Sequence, residues 1–427
     1  MTRHAALILV AALFCRASSA RTLPADFGEA PEALRINLVT FGPGKALHQY
    51  FGHSALWVED TRLRAGVLYS YGTTSVSDGD STRFLLGRPT FWAARLPVDR
   101  TFMLYRALGR SITVQELQLT APQRKQLLRR LEHDVQPATR EYAYHPLEDN
   151  CATRVRDVLD EVLGGTLREA LRGPARATRR ELLRQSIQTH PMFEVLLMSW
   201  LNDEVDAPTT HWQAAFLPRE LATLLEGVTY LGDAGERIRL VRRTTVEALA
   251  TVASAPAVPG TAGTTLAWRI GGALASLAVL AALLRGRSAH PLFRVLFGLY
   301  HVLFGLVLGA WGVSVGGLML FSRLDVMQRN ENLWFANPVA FGLVPLGILI
   351  VFGSARAERW ARRCACLLVV GALVALALKG LSFFDQDTRE AMVVGLVANL
   401  GLGLAHACRW GRPSRRLHAS GHRMLPG

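Results

Sequence analysis

Asp149-Asn150-Cys151-Ala152-Thr153-Arg154-Val155-Arg156-Asp157-Val158-Leu159-Asp160-Glu161-Val162-Leu163-Gly164-Gly165 decides how the first half of the chain is read. Val155, Val158, Leu159 and Val162 recur at helical spacing. Asp149 and Asn150 are N-cap residue types, and the paired glycines are a stop signal. The pattern predicts a helix that starts at Cys151. A thiol in the first turn meets free N–H groups and the positive end of the macrodipole, which favour the thiolate.

The cysteine count makes that position matter. The chain has five cysteines in 427 residues, too few for a disulfide scaffold. Cys15 falls in an expected signal segment, and Cys364, Cys366 and Cys408 lie at the expected cytoplasmic ends of apolar spans. Cys151 is then the one cysteine of the exported part, without an intramolecular partner. Such a thiol is either buried and inert or functional. A nucleophile needs a base, and the candidate is His53 in Phe51-Gly52-His53-Ser54-Ala55-Leu56-Trp57-Val58, a short apolar run that reads as a strand. His53, Ala55 and Trp57 share one face of it. A second strand, Val67 to Tyr71, is placed to pair with it; Tyr69 and Tyr71 share a face there, and Ser70 does not. The group that orients His53 stays open, with Tyr71 and Asn150 as orienting or oxyanion candidates. His48 and His145 are rival histidines. No His-Glu-x-x-His motif and no second exported cysteine occurs, so neither a metal nor a cofactor is expected.

The formal net charge of +14 suggests a polyanion partner until it is located. Residues 264–427 hold 17 Lys+Arg and 6 Asp+Glu, whereas residues 21–263 hold 29 and 28. The excess therefore sits in the apolar half, and no nucleic-acid partner is expected. Arg124, Lys125, Arg129 and Arg130 on a predicted helix over 121–135, and the basic run 172–184, read as solvated faces before headgroup contacts. Residues 1–20 read as a signal peptide: Arg3 and His4, an apolar run from Ala5 to Phe14, then Ser18-Ser19-Ala20. Residues 21–247 follow as a periplasmic domain and 248–265 as a linker rich in Ala, Pro, Gly, Ser and Thr.

Residues 266–408 contain five apolar stretches, 266–284, 295–321, 339–355, 364–384 and 391–408, each long enough to cross ~30 Å of hydrocarbon. With the first domain outside, the inner loops and the basic tail 409–427 carry twelve Arg or Lys and the outer loops four. That asymmetry fits the positive-inside rule and places the C-terminus in the cytoplasm. Asn330, Asn332, Trp334 and Asn337 then fall in an outer loop. They are candidates for a lipid pocket, or for an interfacial anchor, with about equal weight.

Gly42-Pro43-Gly44, Phe51-Gly52-His53-Ser54, Tyr69-Ser70-Tyr71-Gly72, Asn150-Cys151-Ala152-Thr153-Arg154-Val155-Arg156-Asp157 and Trp212-Gln213-Ala214-Ala215-Phe216-Leu217-Pro218 together resemble the Lnb N-terminal periplasmic domain family, over roughly 36–230. With the outer-loop run Asn330 to Pro338, the two-part chain is similar to full-length Lnb-type lipoprotein N-acyltransferases of bacteria. The order His, second polar strand residue, Cys on a helix is similar to circularly permuted papain-like folds. Lecithin:retinol acyltransferase and its phospholipid acyltransferase relatives use that order for acyl transfer through a cysteine thioester; NlpC-type enzymes use the same Cys/His chemistry, typically in Cys-then-His order.

The resemblance implies an α+β permuted papain-like periplasmic domain followed by an all-α membrane domain of about five transmembrane helices, in the bacterial inner membrane. It implies acyl transfer from a membrane phospholipid through a Cys151 thioester to the N-terminal amine of diacylated lipoproteins, with His53 as base. This chain has Ser70-Tyr71-Gly72 where the family usually shows Asn-Tyr-Gly. The alternatives are a cell-wall cysteine peptidase or amidase, against which the His-then-Cys order argues, and a non-enzymatic membrane-anchored scaffold.

Overall fold

A computed structural model describes residues 23–74, 86–87, 89–232, 235–251, 260–288 and 290–407. The expected signal peptide, the basic tail and the middle of the expected linker, 252–259, lie outside the described residues. Contacts divide the chain into two compact units. The first holds the described residues up to His190 together with Glu204–Gly260 and Ser322–Asp325. The second holds Pro191–Asp203, Thr261–Phe321 and the described residues from Val326 onward. The short segments Pro191–Asp203 and Ser322–Asp325 therefore pack with the half that lies distant from them in sequence.

The first unit is a seven-stranded antiparallel sheet flanked by helices. Its strands are β1 (Leu34–Phe41), β2 (His53–Asp60), β3 (Ala65–Thr73), β4 (Thr90–Leu96), β5 (Ile112–Leu117), β6 (Glu141–Ala143) and β9 (Val241–Ala248), in the spatial order β6-β4-β3-β2-β1-β5-β9. β7 (Thr229–Leu231) and β8 (Arg237–Arg239) form a separate hairpin. Strand alternation sends side chains to two cores. On one face Leu34, Ile36 and Leu38 of β1 join Leu56, Val58, Tyr69 and Tyr71. That face packs on helix α3 (Cys151–Val162) through Ala152, Val155, Val158 and Leu159, and on α2 (Ala121–Asp134) through Leu127 and Leu131. The opposite face gathers Val39, Phe41, Ala55, Leu68, Ile112 and Val114 around Phe102 of α1 (Val98–Ala107). The sheet thus carries α3 on one side and α1 on the other.

The second unit is all helical. Helices Ala262–Arg287, Pro291–Phe321, Ala355–Leu378 and Arg389–Ala407 are long and apolar enough to cross a membrane. Pro291–Phe321, 31 residues long, contains a π-helical turn at Gly305–Gly309. The expected span 339–355 is different. Its α-helix covers only Leu343–Val351 after a 3-10 turn at Pro338–Gly342, and it amounts to a fifth span only together with Asp325–Trp334, bent from it by 60°. Leu292, Leu299, Leu303 and Leu306 are exposed on the second long helix. Apolar surface of that extent suits lipid rather than water.

Glycines mark some of the close helix approaches in this unit. A Cβ on Gly298 would lie 2.7 Å from the Gly347 carbonyl oxygen, and one on Gly347 would lie 2.6 Å from that of Gly298. Backbones approach this closely only where side chains are absent. We expect Gly298→Leu to destabilise the detergent-solubilised chain by about 1–3 kcal/mol, read as a lowered Tm. Gly317→Leu, where a Cβ meets nothing within 4 Å, leaves Tm near the wild-type value.

Candidate active site

Cys151 is the first residue of α3, as the capping pattern predicts, and the helix ends before Gly164 and Gly165, both at positive φ. Asn150 holds the helix start. Its Oδ1 accepts the N–H groups of Ala152 at 2.8 Å and Thr153 at 3.1 Å. Thr153 Oγ1 accepts the Asn150 N–H in return at 2.7 Å. The Asn150 amide donates to the carbonyls of Pro146 at 2.7 Å and Phe216 at 3.1 Å. Arg156 donates to the Trp212 carbonyl at 2.7 Å and lies over the Trp212 ring. The run 212–218 is thus clamped to the start of α3 by backbone carbonyls.

His53 opens β2 and pairs with Phe41 of β1. Its Nε2 shares a hydrogen bond with Ser70 Oγ at 2.8 Å. Register explains the partnership: Ala55 faces Ser70 across the β2–β3 pair, so His53, Ala55 and Ser70 project from one face. Tyr69 and Tyr71 project from the other. Gly72 of β3 has φ +99°, at an irregularity in the β3–β4 pairing. A Cβ built there would lie 3.7 Å from Cys151 Cβ and 3.8 Å from His53 Cε1. The missing side chain leaves a gap whose walls are the cysteine and the histidine. Both residues keep part of their surface open to solvent.

Burial dominates the electrostatics even so, because protein surrounds both groups closely. The Cys151 thiol is pushed above its ordinary pKa by desolvation. Hydrogen bonds from the N–H groups of Ser54, Ala152 and Cys151, and the charge of Arg110, pull the other way without prevailing. His53 is lowered to about 3, by burial first and by Arg110 second. Tyr105, Tyr142 and Tyr144 also sense the Cys151 charge, and burial raises all three. The resting pair is therefore a neutral thiol beside a neutral imidazole. The helix-start effect expected for Cys151 is present and outweighed.

Other candidates fall elsewhere. Tyr71 does not orient His53: its hydroxyl donates to Asp134 at 2.7 Å, on the α2 side of the sheet. Asn150 has no amide hydrogen left for an oxyanion, since both are used. His145 closes a turn, accepting the Glu148 N–H at 3.0 Å through Nδ1, and His48 is exposed. In the second unit Asn330 and Asn332 are buried clamps. Their amides donate to the Ser199 carbonyl at 3.0 and 3.1 Å. Asn337 caps the Val339 N–H, and of the four loop candidates only Trp334 is strongly exposed, at 41 %. The three asparagines of this loop are thus engaged in hydrogen bonds to backbone groups.

Two residues of the site carry no local sequence signal. Ser70 lies on the opposite strand face from the tyrosines, and only the β2–β3 register makes that the His53 face. Arg110, 3 % exposed, lies in an unpatterned Gly109-Arg110-Ser111 turn.

Residues 29–185 match the model of the Lnb N-terminal periplasmic domain. The chain therefore carries that domain, with membrane-capable helices after it. The match ends before Trp212–Pro218. No curated protein and no solved structure matches the chain.

A thiol with a raised pKa has a small thiolate fraction at neutral pH, growing tenfold per unit until the pKa is passed. Alkylation of Cys151 by iodoacetamide should therefore rise steadily from about pH 6 to about pH 9. A plateau between about pH 6 and 8 would show a preformed thiolate–imidazolium pair instead.

Proposed function

We propose that this chain is a bacterial inner-membrane acyltransferase with a permuted papain-like periplasmic domain. In this reading it moves an acyl chain from a membrane phospholipid to the N-terminal cysteine amine of diacylated lipoproteins. The observation that carries the proposal is the convergence of Cys151 and His53 on the gap at Gly72, with Ser70 behind the imidazole. The match to the Lnb periplasmic domain supports the class of chemistry.

The steps balance with these groups alone. His53 donates its Nε2–H to Ser70, which leaves the other ring nitrogen free as acceptor. As Cys151 Sγ attacks the ester carbonyl, its proton passes to His53. The Cys151 N–H, which lies against its own thiol, stabilises the oxyanion. Collapse breaks the ester C–O bond; His53 protonates the leaving lysophospholipid oxygen, and a thioester remains. The lipoprotein α-amine then attacks the thioester and yields its proton to His53. The amide forms, and the Cys151 thiolate leaves and takes that proton back. A neutral resting pair suits a nucleophile that must wait for a water-poor lipid ester: neither charge has to be desolvated before substrate arrives.

Membrane spans add to this by holding the domain at the surface where both lipid substrates lie. The loop charges support a periplasmic side for the domain and a cytoplasmic side for the C-terminus.

Mass spectra of lipoprotein N-terminal peptides test the proposal in cells that depend on this chain. We expect Cys151→Ser to abolish N-acylation and His53→Ala to slow it by about 10²–10⁴-fold. Unchanged N-acylation in both variants would overturn the mechanism, and altered peptidoglycan cross-peptides would point to a cell-wall enzyme. Ser70→Ala should slow N-acylation by about tenfold, the loss of one orienting hydrogen bond, and Ser70→Asn should restore part of the rate.

A further inference from the structure

Arg110 is a buried cation that the mechanism above does not use. Its Nε–H donates to the Gly42 carbonyl at 2.7 Å. Its guanidinium lies 4.5 Å from the centre of the Tyr105 ring, Tyr105 stacks on Phe41 at 3.8 Å, and Phe41 stacks on His53 at 6.0 Å. Arginine and histidine thus bracket one aromatic stack on the α1 face of the sheet. Nη2 of Arg110 is buried and makes no hydrogen bond among the described residues. Tyr105, through a hydrogen bond, and Cys151, once ionised, are the groups that steady its charge, and neither is a carboxylate.

A buried guanidinium with a free donor is costly, and burial lowers even its own pKa. Such a cost persists where the charge meets an anion during function. The influence of Arg110 on both Cys151 and His53 places its charge within electrostatic reach of the reacting groups. Its surroundings also leave room nearby. Gly42, which accepts from Arg110, and Ser111, which follows it, line a cavity of about 290 Å³, as does Gly52 just ahead of His53. Thr40 lines the same cavity, and its buried Oγ1 makes no hydrogen bond among the described residues. A buried guanidinium with one donor, Nη2, left over, whose neighbours Gly42 and Ser111 line such a space, describes a place made for a polar, anionic group.

We propose that Arg110 binds the phosphate of the acyl donor, with Nη2 donating to a phosphodiester oxygen while the ester carbonyl lies at Cys151. A planar fork of N–H groups suits phosphate oxygens. In a glycerophospholipid the phosphate is only a few bonds from the acyl ester, so a carbonyl at the thiol brings the anion into this neighbourhood. The identity of the lipid rests on the acyltransferase proposal; the anion site does not. One consequence follows for the base. An anion on Arg110 cancels the charge that helps to hold His53 neutral, so a bound donor strengthens the base that will act on it.

Protection of Cys151 in the full-length protein tests this without requiring turnover. Iodoacetamide labelling is followed by mass spectrometry with increasing dihexanoyl-phosphatidylglycerol, or with dihexanoylglycerol, which has the same esters and no phosphate. In the wild type the phospholipid should half-protect at a concentration about tenfold below the neutral lipid, as expected for one charge-assisted hydrogen bond. In Arg110→Met that ratio should fall to about one, and in Arg110→Lys it should be intermediate. Taking the ratio within each variant removes a general loss of folding. As a measurement that needs no variant, inorganic phosphate should weaken protection of the wild type by the phospholipid and leave that by dihexanoylglycerol unchanged.

A wild-type ratio of one, a ratio that survives Arg110→Met, or indifference to phosphate would each overturn the assignment. Phosphate that protects alone as well as the phospholipid does, and only with Arg110 present, would keep the anion site and make its occupant a free anion. Arg110-dependent protection in a protein that never acquires an acyl group would retain the site and remove acyl transfer. Acylation without such protection would do the reverse.

Discussion

Asn150 is the point on which the site depends. One side chain accepts two N–H groups of α3 and donates to two carbonyls, those of Pro146 and Phe216. Asn150 itself is buried, and leaving one such bond unmade costs about 1–3 kcal/mol. These bonds fix where the helix begins, and so where Cys151 stands against the end of β2. They also explain why the run 212–218, far away in sequence, belongs to the same site. Only an amide of this length can both cap α3 through its oxygen and donate to two carbonyls through its nitrogen.

Around that fixed point, burial sets the charge state of the site. It keeps both the thiol and the imidazole neutral; the helix start opposes it at the thiol, and Arg110 reinforces it at the imidazole. The same burial leaves the Arg110 fork without a full set of partners. In the proposed complex an anionic lipid resolves both tensions at once, because it pairs with the arginine and relieves the pressure on His53. The aromatic stack from His53 through Phe41 and Tyr105 to Arg110 makes this a single assembly on one face of the sheet.

Local signals were legible in the sequence. The cap, the glycine stop and the apolar spacing placed α3 within a residue of its observed ends, because each depends on neighbours a few positions apart. His53 at the entry to a strand was legible for the same reason. The partner of His53 was not, because it depends on the register between two strands, and register is set by pairing over the whole hairpin. Arg110 gave no pattern, since its burial comes from the turn that follows α1 packing against the end of β1. The outer-loop asparagines were visible but their use was not. Ser199, their acceptor, belongs to a ten-residue apolar helix, Pro191–Trp200, that is too short to look like a membrane element and yet packs with the second unit. The bent segment before Leu343 likewise hid the fact that the expected third span is only partly an α-helix.

Intact-mass measurement of the purified full-length protein after incubation with phospholipid tests the central claim most directly. The expected result is a mass increase of one acyl chain, mapped to Cys151, released by neutral hydroxylamine and absent from Cys151→Ala. A protein that stays unmodified while lipoproteins are acylated in its presence, or an acyl group found on another residue, would contradict it.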